Sequence, residues 1–294
     1  MKGGTGIYLD ANDKEAFEHF MKNSKLSFSK ASGSFGITYE LTLKPGIVSK
    51  YLSLDASNYS QPINKLLLKT TFIYPIEFKM NVQDPIHNQI TTKTTTNIDN
   101  FYEEVNIQTD VYLKTMEYLQ PLCPAIVYAN DYDIYDPSII YIVSTFDQGL
   151  KQQLYQLPGI RLGVIAMELM DNAHSVHDVV RQPTYYESYI AKIYYTLIEF
   201  IMKTGYNHGD FHFANILLNL NVTDYFFGKR GQATLIDFGF TEKLSQKNYN
   251  ALKELYKEKR YVEMLDKLCD IDRKDGYVMT DFEGYTETCL RSEP

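Results

Sequence analysis

The stretch HGDFHFANILLN at 208–219, together with LIDFGF at 235–240, decides how this chain is read. In the first, Asp210 and Asn215 stand five positions apart after a long apolar helical pattern. In the second, Asp237 ends an apolar strand, and Gly239 permits an abrupt turn. Asp210, Asn215 and Asp237 together offer hard oxygen ligands and one carboxylate that need not bind metal. Mg2+ takes such oxygens and shares them with substrate phosphates.

Two pieces further upstream suit the same chemistry. Ala31-Ser32-Gly33-Ser34-Phe35-Gly36 lies between two alternating apolar segments. Glycine there lets backbone N–H groups approach a polyphosphate, although a hairpin turn alone also explains it. Lys69 lies in the apolar run KLLLKTTFIY (65–74). A lysine so placed needs a phosphate or a carboxylate, or it snorkels from a strand end to solvent. Lys65 competes for the same role.

Working outward, DANDKEAFEHFMKNS (10–24) reads as a short helix, and 25–43 as a two-stranded hairpin. Residues 46–62 read as a loop. The polar segment 81–99, with the threonine tract Thr91–Thr96, reads as an exposed, mobile loop. Residues 97–120 carry apolar positions at helical spacing, with Asp99 or Asn100 as cap. IIYIVSTF (139–146) and RLGVIAMELM (161–170) read as strands. Residues 185–205 form a long apolar helix stopped by Gly205, 231–240 a strand, and 245–271 one or two amphipathic helices. His174 and His177 are expected to start a helix, and Cys269 to be a buried thiol. The expected organisation is a β-rich lobe at 1–166, a connection at 167–172 and a mainly helical lobe at 173–294.

Composition narrows the function classes. The chain has 294 residues, 44% hydrophobic and 22% charged, as a folded globular protein would. Its net charge of −8 excludes an overall basic nucleic-acid binder. Three cysteines lie far apart, so neither a disulfide framework nor a Cys-x-x-Cys knuckle is available. No apolar run is long enough for a membrane span, and the first residues turn acidic too early for a signal peptide. His208 and His212 lack the His-Glu-x-x-His pattern of a zinc site, and His208 is expected to pack beneath the Asp210 loop. The mixed-sign stretch Lys253–Arg260 reads as a solvated helix face.

On these motifs the sequence resembles the protein-kinase-like superfamily. The D-x-x-x-x-N pattern is met by Asp210 and Asn215, and D-F-G by 237–239. The H-G-D-x-H-x-x-N form is similar to atypical kinases and small-molecule phosphotransferases. The whole layout resembles serine/threonine kinases of large DNA viruses. The resemblance implies an α+β, bilobal protein-kinase-like fold, with a β-rich N-lobe bearing one long helix and a reduced, mainly helical C-lobe. It implies ATP and Mg2+ as cofactors. By the same resemblance Gly33, Ser34, Phe35 and Gly36 cover the nucleotide phosphates, and Lys69 holds the α- and β-phosphates. Glu104 keeps Lys69 aimed, with Glu103 as runner-up. Glu168 and Met170 offer backbone hydrogen bonds to adenine, and Met167 lines its pocket. Asp210 orients the acceptor hydroxyl and takes its proton, while Asn215 and Asp237 bind Mg2+.

Departures from the family pattern shape the expected acceptor. Ala31 replaces the first glycine of the phosphate loop, and Gly209 replaces the usual arginine before the catalytic Asp. His212 stands where protein kinases carry a lysine, and is expected near the γ-phosphate. No A-P-E follows Asp237, and 55 residues follow Gly239, too few for the usual substrate platform. The leading expectation is a protein substrate with a Ser/Thr acceptor. A small hydroxylated molecule is the second, and a pseudokinase interaction module the third. No nucleic acid is expected as a direct partner. The expected location is cytoplasmic, in the host cytoplasm or the virion if the protein is viral.

Overall fold

A computed structural model describes residues 17–18, 21–22, 24–28, 36–44, 65–84, 89–116, 122–169, 173–176, 186–219 and 233–275. The chain divides into two compact units. One comprises Met1–Val105 and Ala125–Leu169, the other Asn106–Pro124 and Met170–Pro294. The architecture is α+β, as the sequence implies.

The first unit is built on a five-stranded antiparallel sheet. Its strands are β1 (Ser24–Phe28), β2 (Gly36–Leu43), β3 (Lys65–Ile73), β6 (Ile126–Asp133) and β7 (Arg161–Glu168), ordered β1-β2-β3-β7-β6. Alternation assigns its faces. Leu66, Leu68, Leu162, Val164 and Ala166 join Phe17, Tyr128 and Tyr132 in the main core. Ile73, Ile126, Ala129, Ile165 and Met167 face the other way and pack with Phe101. Phe101 belongs to α1 (Ile98–Met116), which Asn97 caps by accepting the Asn100 N–H at 2.8 Å. The cap is therefore Asn97 rather than Asp99 or Asn100. Of the expected helix at 10–24, Phe17, Glu18, Met21 and Lys22 are described and helical, and Phe17 is fully buried.

Two expectations for this unit are corrected, and two elements are added. Residues 79–84 and 89–94 pair as antiparallel strands, β4 (Lys79–Asp84) with β5 (Gln89–Thr94), instead of a loop. The threonine tract is β-branched and suits a pleated strand, and Met80 and Val82 anchor it in the core. Residues 139–146 are helical, not extended: a 3-10 turn at Pro137–Ile139 leads into α2 (Ile140–Thr145). Ile139, Ile142, Val143 and Phe146 are buried, whereas Ile140 and Tyr141 are exposed. That is helical periodicity, which the β-branched composition masked. β6 and the helix α3 (Gln148–Tyr155), capped by Asp147, had no counterpart in the sequence reading.

In the second unit, α4 (Tyr186–Thr204) supplies Leu197, Ile198, Phe200 and Ile201 to a core shared with Ile216, Leu235, Phe238, Leu252 and Leu265. It ends at Gly205, in the left-handed region at φ +74°, whose N–H returns to Ile201 at 2.8 Å. A three-stranded sheet follows the order β11 (Ala233–Leu235), β10 (Ile216–Asn219), β8 (Ala173–Ser175). His174 pairs with Leu218 in that sheet and so lies on a strand, not at a helix start; His177 lies outside the described residues. The strand expected at 231–240 is three residues long. β9 (Tyr206–Asn207) pairs with β12 (Glu242–Lys243), and α5 (Gln246–Lys257) and α6 (Tyr261–Asp275) follow. Cys269 is half-buried rather than buried.

Candidate active site

In the first unit β3 carries Lys69 beneath α1. Its Nζ lies 2.6 Å from Oε1 of Glu104, with both side chains largely withdrawn from water. Lys69 sits opposite Ile165 across the β3–β7 register, on the face that α1 covers. Phe101, Glu104 and Gln108 fall on one side of α1 at i, i+3, i+7, and all three are buried. Glu103 points to solvent. The rival lysine, Lys65, pairs with Glu40 at 2.7 Å on the half-exposed rim.

A withdrawn ion pair is sensitive to loss of one partner, because the other keeps its desolvation cost. Glu104→Gln is therefore expected to destabilise the chain by about 3 kcal/mol. Glu103→Gln is expected to stay within about 0.5 kcal/mol. Urea unfolding of the two variants checks this, and equal losses would contradict the assignment of Glu104 over Glu103.

Gly33, Ser34, Phe35 and Met170 lie outside the described residues, as does Ala31. Gly36 opens β2, and a Cβ there would sit 1.5 Å from the carbonyl oxygen of Thr70. Close approach of the two strands thus requires glycine at 36. Met167 is buried against Phe101 and Ile126. The Glu168 N–H donates to the carbonyl of Ala125 at 2.9 Å, so that N–H is committed within the fold.

The second unit holds the Asp210 loop. Asn215 is buried, and its Nδ2 donates to both the carbonyl oxygen and Oδ2 of Asp210, at 3.0 and 2.9 Å. The carboxamide is thereby oriented, leaving Oδ1 as the oxygen a cation could take. His212 Nδ1 accepts the Ala214 N–H at 3.2 Å, capping the 3-10 turn Phe213–Asn215. Nδ1 is therefore the unprotonated nitrogen, and Nε2 carries the hydrogen that faces Asp210 Oδ2 at 3.5 Å. Burial acts to raise the Asp210 pKa. The hydrogen bond from His212, helped by His208 and Asn215, outweighs it and holds the carboxyl below its ordinary range. Asp210 is ionised at neutral pH.

His208 lies beneath this loop, fully buried among Phe200, Phe211 and Phe238. Its Nε2–H donates to the carbonyl of Ile236 at 3.2 Å, and its Nδ1 has no hydrogen-bond partner among the described residues. Burial pushes its pKa from 6.5 down to about 4, against the pull of Asp237 and Asp210. The folded chain then binds fewer protons than the unfolded one between those values, so stability falls as pH falls. The loss from His208 should reach about 3 kcal/mol at pH 4, and the lowered Asp210 adds in the same direction. Thermal unfolding from pH 7 to pH 4.5 should show this slope in wild type and a flatter one in His208→Gln. Equal slopes would assign the pH dependence elsewhere.

Asp237 is reached from β11. It adopts φ +64°, a left-handed conformation rare for a side-chain-bearing residue. Such strain persists where surrounding structure enforces it, and it clusters at functional sites. The carbonyl of Asn215 accepts the Ile236 N–H at 3.0 Å, so the backbone just before Asp237 is tied to the Asp210 loop. Among the described residues no group of three or more His, Cys, Asp or Glu side chains gathers as a metal-only site. The carboxylate of Asp237 and the carboxamide of Asn215 are instead the sparse oxygen set that suits Mg2+ shared with phosphates.

The residue before Asp210 is Gly209, at φ +72°. A Cβ there would lie 2.0 Å from the carbonyl oxygen of Phe240. The arginine usual at this place in protein kinases therefore has no room. Instead the Asp210 loop packs backbone to backbone on the chain after Gly239, and Thr241 Oγ1 donates to the His208 carbonyl at 3.0 Å.

Residues 161–264 match the family model of the ABC1 atypical kinase-like domain. This is about a third of the chain. It begins at β7 and takes in Asp210, Asn215 and Asp237, but not Lys69 or Glu104. The match supports a protein-kinase-like superfamily and an atypical kinase-like phosphotransferase. No curated protein matches the chain. No helix among the described residues is long and apolar enough to cross a membrane.

The sequence reading missed two features of this site. Asn215 is expected as a metal ligand, and that expectation does not include the hydrogen bonds by which its carboxamide orients Asp210. Gly209 was noted as a departure without its steric cause, which the local sequence does not carry, because Phe240 lies far along the chain.

Proposed function

We propose that the chain is an ATP- and Mg2+-dependent serine/threonine-protein kinase of atypical type. The observation that carries this reading is Asp210. It is an ionised, half-exposed carboxylate whose position is fixed by the Asn215 carboxamide and the Nε2–H of His212. Asp210 orients the acceptor hydroxyl and takes its proton. The acceptor oxygen forms a bond to the γ-phosphorus, the bond from phosphorus to the β–γ bridging oxygen breaks, and ADP leaves with that electron pair. Lys69, aimed by Glu104, offsets charge on the α- and β-phosphates. Gly33, Ser34, Phe35 and Gly36 cover the phosphates, while Met167, Glu168 and Met170 hold the adenine. Asn215 Oδ1 and Asp237 would hold Mg2+, which neutralises phosphate charge as it moves to the leaving group. His212, whose Nε2 faces Asp210 Oδ2 at 3.5 Å, contributes near the γ-phosphate.

A second reading, transfer to a small hydroxylated molecule, is favoured by one observation. Phe240–Leu244 alone separate Gly239 from Ser245, whose side chain caps α5. So short a path leaves little chain for a peptide-binding segment. The resemblance to viral serine/threonine kinases supports the protein acceptor, a viral origin and a cytoplasmic setting.

The test is transfer of labelled γ-phosphate from Mg-ATP to the chain itself, to generic protein acceptors, and to aminoglycosides and choline. Label on serine or threonine supports the leading reading. Label confined to a small molecule moves the assignment to the second.

A further inference from the structure

The helix carrying Glu104 enters the sheet through two sockets that neither the motif analysis nor the family match explains. The first is a notch at Gly163. A Cβ at this position would lie 2.5 Å from Cε2 of Phe101 and 2.9 Å from Cδ1 of Ile73. The fully buried Phe101 ring thus occupies the space that any side chain on β7 would fill. The second is polar. The hydroxyl of Tyr102 donates to Oδ1 of Asp131, and Arg161 Nε donates to the other oxygen of that carboxylate. Arg161 Nη2 also donates to the Asp131 carbonyl at 3.3 Å. Asp131 is buried, and Tyr102 Oη also lies 3.4 Å from Oδ1 of Asn130.

The two sockets are neighbours by register, because Asp131 sits directly opposite Gly163 on β6 and β7. Lys69 sits opposite Ile165, one two-residue step along the same face of β7. Phe101, Tyr102 and Glu104 therefore contact a short patch of one sheet face within a single turn of helix. Removing a side chain at 163 admits Phe101. Pairing Arg161 with Asp131 gives Tyr102 a charged acceptor, the stronger kind of hydrogen bond.

Resting on the phosphotransferase reading above, we propose that Phe101, Tyr102, Asp131, Arg161 and Gly163 are positioning residues for the Lys69–Glu104 pair. They clamp α1 so that the pair is formed before nucleotide binds. On this account the pair is built into the fold, and displacement of α1 is not used to switch the enzyme off. Loss of the clamp acts through Glu104 and so reaches the nucleotide, not the acceptor.

Tyr102→Phe removes one hydroxyl and keeps the ring in place. It is expected to raise KM for Mg-ATP about tenfold, as loss of one hydrogen bond to a charged group would. KM for the acceptor should stay unchanged. In a Glu104→Gln background the same substitution should have almost no further effect, because the group it positions is gone. Hydrogen exchange of the α1 amides at 101–105 should accelerate in Tyr102→Phe and in Gly163→Ala, whether or not the chain turns over ATP. Additive effects of Tyr102→Phe and Glu104→Gln would overturn the proposal, as would unchanged exchange at 101–105. If wild type binds no ATP, the phosphotransferase reading fails, while the exchange measurement still decides whether the clamp exists.

Discussion

Asp210→Asn is expected to lower kcat by about a thousandfold, the scale at which a positioned general base acts. Binding of Mg-ATP should change little. The substitution is nearly isosteric, and an asparagine oxygen still accepts from Asn215 Nδ2, so the loop should keep its shape. What is lost is a negatively charged acceptor for the hydroxyl proton. The wild-type carboxyl is held below its usual range, chiefly by His212 acting against burial. So low a basicity makes orientation of the nucleophile as important as proton removal. It also means that activity should persist on the acid side until Asp210 itself protonates, below the ordinary carboxylate range. Steady-state kcat and KM for both substrates check this. A variant retaining more than about a tenth of the rate would remove Asp210 from the centre of the mechanism.

Gly209→Ala should be among the most damaging single changes outside the reacting groups. A left-handed backbone costs a non-glycine residue about 1–2 kcal/mol. Here a methyl group would also meet the Phe240 carbonyl at 2.0 Å, so the Asp210 loop and the chain after Gly239 must separate. We expect a total loss of about 3 kcal/mol or more and at least a hundredfold drop in activity. Gly209→Arg should be no better, although typical protein kinases carry arginine there. Gly159→Ala is the control. It shares the left-handed backbone at φ +78° but has nothing within 4 Å of the added atom. It should cost only the conformational part, about 1 kcal/mol. Equal losses at 159 and 209, measured by urea unfolding, would show that the contact with Phe240 is not tight.

What was legible in the sequence follows from which forces are local. Lys69 on a strand and Glu104 on the correct side of a helix were readable, because strand alternation and the i, i+3, i+7 spacing act over a few residues. The grouping of Asp210, Asn215 and Asp237 was readable because each lies in a short contiguous motif, 208–215 or 235–239. The tract at 139–146 misled because Ile, Val and Thr favour strands by composition, while its burial follows a helical period fixed by the neighbouring core. The threonine strand misled the other way, since its pairing with β4 and the burial of Met80 and Val82 are tertiary. Gly163 and the Tyr102–Asp131–Arg161 cluster were not legible, and of Gly209 only the departure from the family pattern was, not its steric cause. Each depends on a partner far along the chain, and a glycine that makes room for a distant ring looks like any other glycine.

The most direct test of the central claim is to follow the γ-phosphate of ATP with the purified chain. Wild type is compared with Asp210→Asn and Asp237→Asn, with Mg2+ present and with Mg2+ chelated. The account predicts that γ-phosphate leaves ATP for an acceptor only in wild type with Mg2+, and that both variants lose transfer. Asp237→Asn should also lose the Mg2+-dependent part of ATP binding, read as ligand-induced stabilisation on heating. ATP that binds wild type with Mg2+ but is never turned over, with any acceptor, would contradict the account and leave a nucleotide-binding scaffold in its place.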